Sequence, residues 1–218
     1  IRALAARRTR SGIWRWTSSF YHPRVRSSTA SSASQQISDV SPRKGAAPGG
    51  GSGALSRSVL IIGFGNTLRR DDGAGAVAAR LLAVDPRLDR PEVDVREAYK
   101  LLPEMSLDIA EATLVVFVDA DMRGLPGSLE IHEIDPQTAA RDDADARGEP
   151  GASSHHVGGG ELVALAATLA GRAPEAVAIG IGVADLEMGE GLSPAVESAL
   201  PRVVDIVADL VEGHLEAG

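Results

Sequence analysis

The chain contains no cysteine, which removes disulfide scaffolds, thiolate metal sites and a cysteine nucleophile together. Any metal must therefore be held by His, Asp or Glu. Aromatic residues are scarce, at 3%, so the core has to be assembled from Val, Leu, Ile and Ala. The same scarcity argues against carboxylate-pair glycosidase chemistry, whose sugar cleft is lined with aromatic rings. No apolar run approaches the length of a membrane span. Positive charge is missing from most of the chain. The first 57 positions hold ten of the 22 Lys and Arg residues and only one of the 30 acids, Asp39. Positions 58–218 are left with 12 basic and 29 acidic side chains, a net charge of −17. So acidic a body lacks the positive footprint that nucleic acid requires.

The first 57 residues differ in kind. They are rich in Arg and Ser, show no apolar periodicity, and close on GAAPGGGSG at 45–53, a flexible-linker composition. An organelle transit peptide has a similar balance, but Arg7-Arg8 leads into no apolar stretch of secretory-signal length, and position 1 is Ile. We read 1–57 as a disordered extension and linker ahead of the true start, and 58–218 as one folded domain. About 160 residues are ample for a single core.

Within the body, apolar β-branched runs alternate with amphipathic stretches. Residues 58–63 (SVLIIG) form a short continuous apolar run, as in a strand buried on both faces. Residues 72–82 place Ala74, Val77, Ala78, Leu81 and Leu82 at helical spacing, with Pro86 as a stop. Residues 93–98 alternate as a second strand, and 102–110 fit a short helix with Pro103 in its first turn. The clearest buried strand is 113–118 (TLVVFV), ending at Asp119, followed by an edge strand at 128–134 and an acidic surface loop at 135–152. A helix at 160–170 ends on Gly171, 177–183 is another buried strand, and Ser193-Pro194 caps a last helix. Its apolar stripe is Leu200, Val203, Val204, Val207 and Leu210, with Pro201 as a kink. This alternation predicts an α/β three-layer sandwich, phosphorylase/hydrolase-like, with a mostly parallel sheet of about five strands flanked by helices. Ligands in such sheets bind beyond the carboxyl ends of the strands.

Three polar groups fall on that edge: Asp71 and Asp72 after the first strand, Asp119 with Asp121 at the end of the third, and His155-His156 ahead of a helix. Two carboxylates and an imidazole make a first shell for a borderline divalent ion. Each group also has a plain structural account. Asp71 and Asp72 read equally well as a double helix cap, Asp119 as the start of a turn at 121–124, and the histidines as polar helix-entry residues. The conjunction of the three carries the metal reading. Within a pair only one member is expected to ligate, because sequence neighbours on a helix do not share a face. Other motifs are weaker. Gly63-x-Gly65 lacks the third glycine of a dinucleotide fingerprint and no Gly-Lys-Ser/Thr follows. Ser153 and Ser154 beside His sit in no nucleophile elbow.

With these residues in view, the chain resembles the hydrogenase maturation endopeptidases across about 58–214. The resemblance rests on GFGNTLRRDDGAG at 63–75, Leu102-Pro103-Glu104, Val118-Asp119-Ala120, Ser153-Ser-His-His156 and Gly191-Leu-Ser-Pro194. It implies an endopeptidase, cytoplasmic and monomeric, that removes a C-terminal extension from a nickel–iron hydrogenase large-subunit precursor once nickel is inserted. It implies no nucleic-acid or membrane partner. The family's metal-contacting and catalytic residues fall on Asp72, Asp119 and His155, and Asn66, Asp71 and His156 are placed as substrate-binding residues. The metal is nickel carried by the precursor, with another divalent ion as a substitute in vitro. Thiolate-free ligands hold nickel weakly, which suits a protein that tests for metal in another protein. Some relatives carry Glu at the position of Asp72, and some an Asp-Gly-Gly turn where this chain has Leu-x-Pro-Glu, which implies a different subgroup. The general base stays open among Asp71, Asp121 and His156. Two rivals share the fold: a metal-sensing or chaperone module that binds the precursor without cutting it, and a nucleotide-binding α/β protein.

Overall fold

A computed structural model describes residues 2–8, 14–20, 58–136 and 158–217. The chain divides into two units, Ile1–Leu55 and Ser56–Gly218. In the first, β1 (Arg2–Arg8) pairs antiparallel with β2 (Trp14–Phe20), from Arg2↔Phe20 to Arg8↔Trp14. The sequence suggested no regular structure there. The pairing runs through backbone groups that any side chain leaves available, and Trp, Thr and Phe in β2 favour extended chain.

The second unit is built on a five-stranded sheet. Its strands are β3 (Val59–Phe64), β4 (Val93–Ala98), β5 (Leu114–Asp121), β6 (Leu129–Glu133) and β7 (Glu175–Gly182), in the order β4-β3-β5-β7-β6. All neighbours are parallel except β6, which runs antiparallel along β7 at the edge. β3 is apolar throughout because both its faces are covered: Val59, Leu60, Ile61 and Ile62 are all buried. The pleat then sorts the side chains. Leu60, Ile62, Val115 and Phe117 pack with Leu101, Ile109, Leu162, Val163 and Ala166, beneath α2 (Met105–Glu111) and α3 (Gly159–Ala170). The opposite face meets α1 (Ala74–Leu82), which lies against β3, β4 and β5 and beside α4 (Pro194–Glu216). Gly63 allows the close approach there, since a Cβ on it would sit 2.8 Å from that of Ala79. The result is the expected α/β sandwich. Each fully buried Leu, Ile or Val contributes roughly 1.5–3 kcal/mol by leaving water.

The element ends differ from expectation where polar residues sit on regular backbone. Helix α1 starts at Ala74, preceded by a 3-10 turn at Arg70–Gly73, and neither Asp71 nor Asp72 caps a helix. Helix α2 starts at Met105, two residues beyond Pro103, whose carbonyl accepts bonds from the Ser106 N–H and Oγ–H. Strand β5 continues through Asp119 to Asp121, paired with Gly180 and Gly182. Gly171 ends α3 in the left-handed region, at φ 66°. Ser193 caps α4 through Val196 N, with Pro194 at the first turn, and the helix runs on through Pro201. Its last turn is tied down by His214, whose Nε2 lies 2.9 Å from Thr113 Oγ1 and whose Nδ1 lies 3.2 Å from Glu175 Oε2. Among the described residues no helix is long and apolar enough to cross a membrane.

Candidate active site at the carboxyl edge of the sheet

The chain leaving β3 makes a tight turn. The Asn66 side-chain oxygen accepts from Leu68 N (3.0 Å) and its carbonyl from Arg69 N (3.0 Å). Asn66 thus spends its oxygens on the turn, and among the described residues its amide nitrogen donates to nothing. Two glycines let this turn fold down onto the sheet. Gly65 has φ 141°, and a Cβ on it would lie 1.9 Å from the Asp72 carbonyl oxygen. On Gly75 a Cβ would lie 2.2 Å from the Val118 carbonyl oxygen and 2.4 Å from that of Phe64. The acid-bearing turn is therefore seated directly over the ends of β3 and β5, one residue from Asp119.

Asp71 and Asp72 have opposite surroundings. Asp71 is fully buried, and its carboxylate accepts from the backbone N–H groups of Ala184, Asp185 and Ser193 and from the Ser193 hydroxyl. Burial pushes its pKa up, but the bonds to Ser193, Ala184 and Asp185 outweigh this and hold it below the ordinary carboxylate value. Expected to touch substrate, Asp71 instead has both oxygens engaged inside the fold. Asp72 keeps 32% of its side chain exposed, and among the described residues its one ion-pair partner is Arg69 Nη1 at 4.0 Å. A pair so long and so exposed contributes at most about 1 kcal/mol, so Asp72 remains available to a ligand.

Asp119 is the strongly perturbed group. It projects from β5 on the same face as Phe117, and its Oδ1 accepts from Ala120 N at 2.7 Å. Burial drives its pKa up, the Ala120 bond opposes this, and the charges of Asp72 and Asp121 add to the rise, leaving it at about 7. A carboxyl group that titrates near neutrality can carry a proton in either direction. The influence of Asp72 also shows that the acids after β3 and on β5 share one electrostatic neighbourhood.

Asp119 opens into a cavity of about 320 Å³ bounded by Phe64 and Phe117, Asp121, the N-terminal glycines of α3, and Glu130 and His132 of β6. Asp72 lies outside this lining. Asp121 accepts from Arg123 N (2.9 Å) and so also forms the turn that its sequence suggested. Glu130 and His132 were missed in the sequence. The available signal was their i, i+2 spacing on an edge strand, which turns both toward the same face. His155 and His156, with Ser153 and Ser154, lie outside the described residues. Among the described residues no three His, Asp or Glu side chains are grouped to hold a metal.

No family model matches the chain, and no curated protein matches it either. Solved structures do. The hydrogenase 2 maturation peptidase from Thaumarchaeota archaeon SCGC_AB-539-E09 is 27% identical, with a TM-score of 0.53, over 72% of this chain and 99% of that one. The [NiFe] hydrogenase maturation protease HycI from Thermococcus kodakarensis KOD1 is 24% identical, TM-score 0.53, over 73% and 92%. The hydrogenase maturating endopeptidase HybD from E. coli is 22% identical, TM-score 0.55, over 69% and 89%, a likeness of fold. With the seated acidic turn and the perturbed Asp119, the first of these similarities makes the chain a peptidase. What the chain is similar to, in sequence and in fold, is a hydrogenase maturation peptidase.

Proposed function

We propose that this protein removes the C-terminal extension of a nickel–iron hydrogenase large-subunit precursor after nickel insertion. The observation that carries the reading is Asp119, a desolvated carboxyl group raised to about 7 at the carboxyl end of a parallel strand, with the charge of Asp72 beside it. Like charges kept together at the cost of stability mark a site built for a cation or a proton. The donor set suits nickel held as the precursor's cargo: oxygen from Asp72 and Asp119 and imidazole nitrogen from His155, with no thiolate to retain the ion. His155 stands three residues ahead of Gly158, where the described chain resumes at the start of α3.

When bound, such an ion acts as a Lewis acid toward the scissile carbonyl or toward a water. The protein's own part is placement and proton handling. Phe64 and Phe117 line the hollow, the Asn66 amide nitrogen would donate to substrate backbone, and Asp119 holds or releases a proton near neutral pH. Cation binding and protonation compete at that carboxyl group.

The test is processing of a nickel-loaded precursor, followed as a mass change, alongside the nickel-free precursor. The wild type is expected to cut the first and spare the second. His155→Ala and Asp119→Asn are expected to abolish cutting while unfolding cooperatively. Processing that persists in both variants would refute the site assignment. A stable complex with uncut precursor would select the metal-sensing module instead.

A further inference from the structure

The carboxylate of Asp71 grips a segment more than 110 residues away. Its Oδ2 accepts from Ala184 N (2.8 Å), Asp185 N (3.0 Å) and Ser193 Oγ (2.8 Å), and its Oδ1 from Ser193 N (2.6 Å). The same two stretches are stitched together around it. Arg70 N donates to Gly189 O (2.9 Å), Gly189 N to Leu68 O (2.9 Å), and Asp71 N to Asp185 O (3.1 Å). The Arg70 guanidinium pairs with Asp185 Oδ2 at 3.0 Å. Within this weave Arg70 is held at φ 48°, a left-handed conformation that a residue with a Cβ keeps only where its surroundings over-determine it. One residue further on, Asp72 has among the described residues no comparable brace on its own carboxylate.

We propose that Asp71 is a positioning residue: its carboxylate clasps the 183–193 segment to the 66–73 turn and so presents Asp72 beside Asp119. This rests on the peptidase reading above, in which Asp72 contacts the cation carried by the substrate. The chemistry of the clasp requires an acceptor-only group. Three donors converge on one oxygen and a fourth on the other, so the amide NH2 of an asparagine must oppose at least one N–H. Asp71 touches neither cavity nor solvent, and its effect passes wholly through the backbone to Asp72. A displacement on the order of 1 Å at a reacting group costs about a hundredfold in rate.

The experiment compares the full chain with Asp71→Asn and Ser193→Ala, each assayed on nickel-loaded precursor at a temperature where its own unfolding curve shows it folded. Asp71→Asn is expected to lower kcat about a hundredfold with KM changed less than threefold, and Ser193→Ala, which removes one donor of four, to lower kcat about tenfold. Titration with nickel(II) alone is expected to show at least tenfold weaker binding to Asp71→Asn. Should Asp71→Asn fail to fold, Ser193→Ala decides the matter by the same split. An unchanged kcat in the folded variants, or a loss confined to KM, overturns the clasp. If the wild type leaves every precursor uncut, the peptidase reading fails, and the nickel(II) titration still judges the clasp: equal affinities overturn it.

Discussion

At the amino-terminal ends of β5 and β7, His214 lies 3% exposed between Thr113 Oγ1 and Glu175 Oε2, and the Thr113 hydroxyl also donates to Ser58 O. At the carboxyl-terminal end of β5, Asp119 has among the described residues one hydrogen bond, from Ala120 N, and two like charges, Asp72 and Asp121, acting on it. Both ends hide a titratable group, but one gives it partners and the other gives it opponents. A satisfied network fastens a helix. An opposed carboxyl group persists only where something other than stability favours it, and it lies on the edge where parallel sheets bind their ligands. The contrast separates a group that fastens the domain from one placed where a ligand would bind.

The largest effect expected from breaking the contrast is on activity. Asp119→Asn keeps the shape but removes the titrating group, and should lower precursor processing by about a thousandfold or more, since proton transfer alone typically contributes 10²–10⁴. The next effect is on stability and falls at both ends with opposite sign. Between about pH 4 and 7 the folded protein keeps on Asp119 a proton that the unfolded chain has released, so stability falls as pH rises through that window and then levels. Asp119→Asn should flatten that slope and, at pH 8, be more stable than the wild type by up to about 4 kcal/mol in chemical denaturation. His214→Ala should instead lose about 2–3 kcal/mol, because it leaves Glu175 and Thr113 short of a partner, while processing by the folded fraction stays unchanged. Reduced processing in that variant, normalised to folded protein, would blur the division between the two ends. The smallest effect is reserved for a surface pair. Arg80 reaches both Glu97 oxygens, at 2.5 and 2.7 Å, yet more than half of its side chain is exposed. Arg80→Ala should shift stability by about 0.5 kcal/mol or less and leave activity untouched.

The central strand β3 was legible in the sequence as an unbroken apolar run because it is buried on both faces, and the edge strand β4 by its alternation, so that 58–63 and 93–98 were placed within a residue. Strand β5 was cut short at Val118 because Asp119 and Asp121 look like a turn, while the backbone still pairs with β7 through Gly182. The site was legible only in part. Candidate acids could be picked out by their place after strands, but the different surroundings of Asp71 and Asp72 could not. Asp71 and Asp72 are identical neighbours in sequence, and what distinguishes them is a ring of donors at Ala184, Asp185 and Ser193 that folding alone brings near. Ser193 was read as a helix cap, which it is, yet its N–H and hydroxyl also serve Asp71. His214 left no signal, since one histidine in a helix carries no spacing. Glu130 and His132 became site residues only once β6 was laid along β7.

A carboxyl-carbon NMR titration of Asp119 measures whether Asp72 and Asp119 converge over the ends of β3 and β5. A midpoint close to 7 in the wild type, falling clearly in Asp72→Asn as the neighbouring charge disappears, is the predicted result. A midpoint near the ordinary aspartate value of about 4, or one indifferent to Asp72, would contradict it.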